Sequence, residues 1–463
     1  MQDSRAEGLS RRATVYAVMA STAGWAFDLF DLFILLYVAS TVGDVIFPAG
    51  SETLSLAAVY ASFAVSVLLR PAGAAIFGTV ADRSGRKKTL VIVLAGLGLS
   101  TAAMGAVPTY AAAGLVAPLL FLTLRLLQGV FVGGVVAATH TLGTESVPPR
   151  WRGLMSGIIG GGGAGLGAAM ASGLFLLVSQ IFPGDQFDQW GWRVMFFTGL
   201  VGSALSYLLL RRAEESPLWT QARQAGPPAV VRASDLVRDG RGGMFALNVM
   251  LVAGAGTQYY LTSGYLPTLI NKITAVPTGP RGMILLVTSL IAIFGAVLTG
   301  GLSQRYGRRR TMLTVGCVNL AALPLLTWLI KGSDPGSTAA ILLYATLLTF
   351  LAAAAYGPVM VYLNERYPTA LRARGTALSW NLGFMIGGLM PTFVSLTSPG
   401  LSDVPSRLVA FLAVMVLVYI AANAISPETR GRMDRVPADA APAEAAAVDA
   451  MTDEPVRTKA EAR

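Results

Sequence analysis

The chain has 463 residues, of which 54% are hydrophobic and 13% charged, and its net charge is +10. A soluble domain carries about 25% charged residues, so this balance excludes an ordinary soluble fold and points to a bilayer. The single cysteine (Cys317) excludes a disulfide framework and a multi-cysteine metal site, and the single histidine (His140) argues against zinc or haem chemistry.

The apolar stretches set the architecture, because a helical span needs about 20 apolar residues. Twelve spans are predicted near 14–40, 54–81, 88–107, 111–140, 152–181, 192–211, 243–271, 282–303, 310–330, 338–363, 374–397 and 405–426. The start (Arg5, Arg11, Arg12, then an apolar run) imitates a signal peptide. The run is too long and carries Asp28 and Asp31, so it reads as a retained first span. Stretch 89–124 has no charge and is too long for one span; Pro108-Thr109-Tyr110 is the predicted turn within it.

Twelve spans put both termini on one side. That side holds 28 of the 35 Lys and Arg residues, against five on the other: Arg193, Lys272, Arg281, Lys331 and Arg407. Positive charge marks the cytoplasm, so both termini are expected there. The net charge then reflects topology, and no nucleic-acid partner is expected. The predicted organisation is a terminus 1–13, a six-helix bundle 14–211, a polar linker 212–242, a second bundle 243–427 and a disordered tail 428–463, rich in Ala, Pro and acids.

The chain repeats itself. Gly78-Thr-Val-Ala-Asp82-Arg83-Ser-Gly85-Arg86-Lys87-Lys88-Thr89 follows span two. Gly300-Gly-Leu-Ser-Gln304-Arg305-Tyr-Gly307-Arg308-Arg309-Arg310-Thr311 follows span eight, 222 residues later. Glu145-Ser-Val-Pro148 with Arg152 recurs as Glu365-Arg-Tyr-Pro368 with Arg372, at an offset of 220. Six spans separate the copies, so the halves are parallel repeats related by an axis along the membrane normal.

These residues carry a resemblance. The first loop motif looks like the signature of the major facilitator superfamily. Arg125-Leu-Leu-Gln128-Gly129, Glu145…Pro148…Arg152-Gly153, Glu215-Ser-Pro-Leu-Trp219 and Pro427-Glu-Thr-Arg-Gly431 also fit. Asp28-Leu-Phe-Asp31 and Arg70-Pro71-x-Gly73 are similar to symporters of organic acids with protons: the metabolite, sialate and aromatic-acid groups. Many metabolite and sialate members continue Gly-Gly with Glu in span four, where this chain has Val135. The resemblance implies an all-α fold of twelve helices in two six-helix repeats. It also implies a latch in which Asp82 meets a basic residue and the first turns of span eleven across the domain interface. In the second copy the acid is Gln304.

Charge inside the spans singles out the functional candidates. Asp28 and Asp31 are three apart and share a helix face. A charge at mid-bilayer costs about 2.5–3.5 kcal/mol on insertion scales, so such groups are paired or face an aqueous cavity. Arg70 and Arg125 lie at comparable depth, and the four groups are expected to form one neutral cluster. Asp31, or Asp28, is the candidate proton carrier. Arg125, or Arg70, whose planar fork suits a carboxylate, holds an anion or tunes the acid. The second half has no charge inside its spans. Its polar candidates are Asn248, Gln258, Tyr259, Tyr356, Trp380 and Asn381. Glycine pairs such as Gly129/Gly133 and Gly383/Gly387, and the glycines of span five, allow close helix contact.

The expected function is a secondary transporter that imports a small organic anion with protons across a bacterial-type inner membrane. A monomer is the expected working unit, and no cofactor or metal is expected. A sugar or drug carrier is the same-fold alternative, disfavoured because the glycines of span five lack the antiporter proline. A membrane enzyme or receptor would need a catalytic cluster or a large extra domain, and neither is present in the sequence.

Overall fold

The computed structural model describes residues 11–84, 86–145, 147–201, 203–204, 236, 241–274, 276–334 and 336–432. Every regular element among them is helical. Most of linker 212–242 and tail residues 433–463 lie outside the described residues.

Span one is Arg11–Tyr37, followed after a 58° bend by Ala39–Ile46. Span two is split into Glu52–Leu68 and Arg70–Ser84. Ser51 caps its start by accepting the Leu54 N–H at 3.2 Å. The split falls at Leu69, where Pro71 removes the amide that would bond one turn back. Spans three and four are Arg86–Gly105 and Val116–Glu145, and the chain turns between them where Pro108-Thr109-Tyr110 predicted it. Span five runs from Arg152–Ser156 through a π-helical turn, Gly157–Gly162, into Gly163–Ile181. Span six is described from Phe187–Gly191 through Trp192–Phe197 to residue 201.

The second half holds Gly242–Tyr259, continued through π turns Tyr260–Gly264 and Leu269–Ile273, then Thr278–Tyr306 and Arg308–Lys331. Thr338–Tyr356 and Val359–Arg366 form span ten, interrupted at Gly357-Pro358. Thr369–Leu396 and Val404–Ile425 complete the set. Among the described residues eight helices are long and apolar enough to cross a bilayer, or nine with the bent first pair taken as one. Span three contributes a shorter apolar helix, Val91–Gly105, and span six is described only in part.

Between lipid-embedded helices apolar burial drives nothing, so close packing of small residues carries the contact. Span five meets span eight of the other half through glycines. A Cβ at Gly157 would lie 2.5 Å from the Ala296 oxygen, and one at Gly300 would lie 2.6 Å from the Gly153 oxygen. Gly129 and Gly133 press on the backbone of span two at Ser66 and Arg70. Gly383 packs on the Val252 side chain and Gly387 on the Gly256 backbone of span seven.

Both mouths of the molecule are bridged between the halves. At the far face, away from the repeated loop motifs, Lys272 meets Asp44 at 3.3 Å and Glu52 at 3.5 Å, and Asn271 donates to Ser40 at 2.8 Å. At the loop-motif face, Ser156 Oγ donates to the Gly357 oxygen at 2.8 Å and accepts the Val361 N–H at 3.1 Å.

One boundary differs from the sequence reading. The tail was expected to begin at 428, yet residues 428–432 pack against the second half. Glu428 accepts the backbone N–H groups of Arg308 and Arg309 at 2.9 and 3.0 Å, capping span nine. Thr429 is fully buried and donates to Glu365 at 2.8 Å.

Candidate functional site

The two aspartates of span one share a face but not a partner. Asp28 is 2% exposed and pairs with Arg70 of span two, Nη1 to Oδ2, at 3.1 Å. Asp28 Oδ1 and Arg70 Nε have no hydrogen-bond partner among the described residues.

Asp31 accepts from two other side chains, with a third behind them. Thr101 Oγ of span three donates to Oδ1 at 2.5 Å, and Gln128 Nε2 of span four donates to Oδ2 at 2.5 Å. Arg125 donates to Gln128 Oε1 at 2.5 Å, one helical turn away. The carboxamide of Gln128 accepts from the cation and donates to the anion, so it stands between them. The expected four-membered cluster is therefore two units, an ion pair and a relay. Asp31 also borders a small cavity of about 30 Å³ between spans one, three and six. Its partners all belong to the first half.

Asp28 looks the other way. Tyr260 and Tyr356 of the second half lie within electrostatic reach of it and of Arg70. Tyr356 stacks on Tyr259 at 5.8 Å and meets Trp380 edge-on at 5.2 Å. Trp380 stacks on Phe384 at 4.7 Å and reaches across to Trp25 of span one at 5.8 Å. Trp25 in turn donates its indole N–H to the Gly160 oxygen at 2.9 Å. The hydroxyls of Tyr259 and Tyr356 are buried and have no partner among the described residues.

Three second-half candidates stand elsewhere. Gln258 accepts from Asn319 at 2.7 Å and donates to its own helix at Gly254, so its amide is used inside the second half. Asn381 donates to Ala377 of its own helix at 2.9 Å. Asn248 lies beside Tyr367, towards the loop-motif face. Of the six, the structure gathers Tyr259, Tyr356 and Trp380.

The second loop motif ties three spans together. Gly300 is the close contact to span five. Gly307 takes φ of 99°, a left-handed conformation suited to glycine, and so turns the chain into span nine. Arg308 is 1% exposed and grips Glu365 with Nε at 3.2 Å and Nη2 at 3.1 Å. Arg309 reaches the Ala424 oxygen at 2.6 Å, and the Arg305 oxygen accepts from Arg430 at 2.6 Å. Burial pushes the Glu428 carboxyl up, but its four backbone N–H donors outweigh this and hold it below the usual carboxylate range. Gln304 crosses to the first half: it accepts the Gly153 N–H and donates to the Pro149 oxygen, both at 3.1 Å. Arg372 donates to the Asn364 oxygen at 3.0 Å, and Arg152 opens span five.

In the first copy Gly85 and the side chains at Asp82, Arg83, Arg86 and Lys87, with Gly78, lie outside the described residues, as do those of Glu145 and His140. Sequence reasoning missed Thr101, Trp25, Tyr260 and Asn319. Position Gln304 was noted only for its lost charge, and its role as a cross-half contact was not foreseen.

Comparison with known proteins places the chain in a family. The Major Facilitator Superfamily profile matches residues 16–392. An inner membrane metabolite transport protein of Escherichia coli K12, YhjE, is 31% identical over 89% of this chain and 94% of its own length. A citrate-proton symporter of Klebsiella pneumoniae is 28% identical over 82% and 84%. A proline/betaine transporter of Salmonella typhimurium is 27% identical over 87% and 82%. Among solved structures, a D-xylose-proton symporter superposes with a TM-score of 0.70 at 18% identity, covering 90% of this chain and 99% of its own. The chain belongs to the major facilitator superfamily and is a membrane-embedded secondary transporter with the twelve-helix fold of that family, not an enzyme.

Proposed function

We propose that this secondary transporter imports a small organic anion together with a proton, as a monomer in a bacterial-type inner membrane with the loop motifs and both termini cytoplasmic. The Lys and Arg asymmetry supports the orientation. The observation that carries the reading is the buried Asp28–Arg70 pair with a free valence on each member.

A substrate carboxylate and Asp28 are rival acceptors for one guanidinium. A proton on Asp28 releases Arg70, whose planar donor fork then takes the anion. The balance is one anion in and one proton in, so the site keeps the net charge it had when empty. That matters because each uncompensated charge at mid-bilayer costs several kcal/mol. Asp28 fits the proton role better than Asp31, because Asp31 is enclosed by first-half donors while Asp28 faces the second half. Arg125, through Gln128, tunes Asp31 and holds the bundle in register.

One observation favours a second reading. Aromatic faces at the site, those of Tyr356, Trp380 and Phe384, attract cations, and one relative is a proline/betaine transporter. A zwitterion would set its ammonium against these faces and Asp28, and its carboxylate on Arg70, without needing the proton.

The test is uptake of labelled carboxylates and of labelled betaine into proteoliposomes, with and without an inward proton gradient. The anion reading expects carboxylate accumulation that a proton uncoupler abolishes. Accumulation that ignores the uncoupler sinks proton symport, and accumulation of betaine alone favours the zwitterion.

A further inference from the structure

Tyr37 closes the straight part of span one, on the boundary between two spaces. On one side is a vestibule of about 290 Å³ at the far face, with Thr41, Asp44, Asp188 and Arg281 in its wall. On the other is a small cavity of about 10 Å³ where the two halves meet. Hydroxyl groups line it: Tyr37, Tyr259, Ser263, Thr288, Ser289 and Thr349. Such a volume is on the scale of one water, and a buried water takes two to four polar partners. Partners are at hand, since Tyr259 Oη and Ser263 Oγ are buried with none among the described residues.

More hydroxyls adjoin this cavity. Tyr37 Oη accepts from Ser172 Oγ at 2.8 Å, and Ser289 Oγ of the cavity wall lies 3.4 Å from it. Towards the site, Tyr259 stacks on Tyr356, whose hydroxyl is also unpartnered among the described residues and whose ring is within electrostatic reach of Asp28. A core built for packing alone would use phenylalanine here, because each orphaned hydroxyl costs about 1–3 kcal/mol.

We propose that these hydroxyls are the route by which a proton reaches Asp28 from the vestibule, in the order Tyr37, Ser289, a single water in the small cavity, Tyr259 and Tyr356. Each group accepts a proton on an oxygen lone pair and releases its own O–H proton forward, then turns back. One O–H bond forms and one breaks at each step. Nothing is oxidised or reduced, and the net change is one proton moved from vestibule water to the Asp28 carboxylate. This inference rests on the proton-symport reading and supplies its path.

The experiment uses the full chain in proteoliposomes, with the wild type, Tyr37→Phe and Ser289→Ala. Both substitutions keep size and ring packing, and neither residue touches the proposed substrate site. Two rates are read: uptake driven by a proton gradient, and substrate exchange with no net proton movement. The expected result is a roughly tenfold loss of gradient-driven uptake, of the kind a positioned proton-transfer group produces, with a larger H2O/D2O ratio and unchanged exchange. Exchange that falls in parallel would mean a packing role and overturns the route. So does a variant indistinguishable from wild type in both rates. If the wild type itself shows no gradient-driven uptake, proton symport has failed and the route falls with it.

Discussion

The two halves solve one packing problem with different chemistry. In the first, spans one, three and four are joined through Asp31, Thr101 and Gln128, with Arg125 behind. In the second, the corresponding spans seven, nine and ten are joined through Gln258, Asn319 and the Leu351 oxygen, where Asn319 donates at 2.7 and 2.9 Å. Away from the Arg308–Glu365 pair at the loop-motif face, the second half therefore links these three helices through neutral amides. Charge is not needed for that purpose, and it carries a desolvation cost that amides avoid. On the proposed reading, the charges kept beside Asp28 serve proton coupling, and the second half supplies an aromatic wall.

The sharpest way to break this contrast is to neutralise the first half. Asp28→Asn should abolish gradient-driven accumulation while leaving exchange, measured in proteoliposomes; accumulation at the wild-type level would remove Asp28 from coupling. Next, Arg70→Met leaves Asp28 buried without its partner and should cost about 3–5 kcal/mol. Arg70→Met with Asp28→Leu should recover most of that in a thermal unfolding scan. The reverse experiment puts a charge into the neutral half. Gln258→Glu should lower stability by about 2.5–3.5 kcal/mol on insertion scales, and a stable, well-expressed variant would show that neutrality there is incidental. Gln258→Leu orphans one donor of Asn319 and should cost about 1–3 kcal/mol with coupling intact.

The smallest effect concerns pH. The Glu428 carboxyl is held below its ordinary value in the fold, so its contribution is present above the unfolded value and is lost as pH falls through the folded one. Glu428→Gln should flatten that acid-side loss, read as the melting temperature against pH.

Much of the fold was legible because a bilayer leaves the chain little choice: the long apolar runs are helices and the chain turns at Pro108. Intramembrane charges were legible for the same reason, since Asp28, Asp31, Arg70 and Arg125 are costly wherever they stand. Their division into two units was not. Helical spacing sets the face of a side chain, but the partner depends on the depth and rotation of the neighbouring spans. Hydroxyls were invisible for a different reason. Thr101 has the Leu97 oxygen of its own helix at 2.9 Å as a default acceptor, so a threonine costs little in a span and leaves no mark. Trp25 and Tyr260 were hidden among other apolar residues. The tail boundary was misplaced because Glu428 resembles the acidic stretch that follows it, and only the bare amides of span nine mark it as a cap.

Gln304 has one more consequence. The bridge it makes between the halves is uncharged, whereas the bridge at the far mouth rests on Lys272 with two half-exposed acids. Dissolved ions screen exposed charges beyond about 8 Å at physiological ionic strength and more strongly as salt rises, and they leave an amide's hydrogen bonds largely alone. Among the described residues, then, the two mouths answer differently to the electrolyte around them. Raising salt weakens the Lys272 contacts and spares the neutral bridges of Asn271 and Gln304.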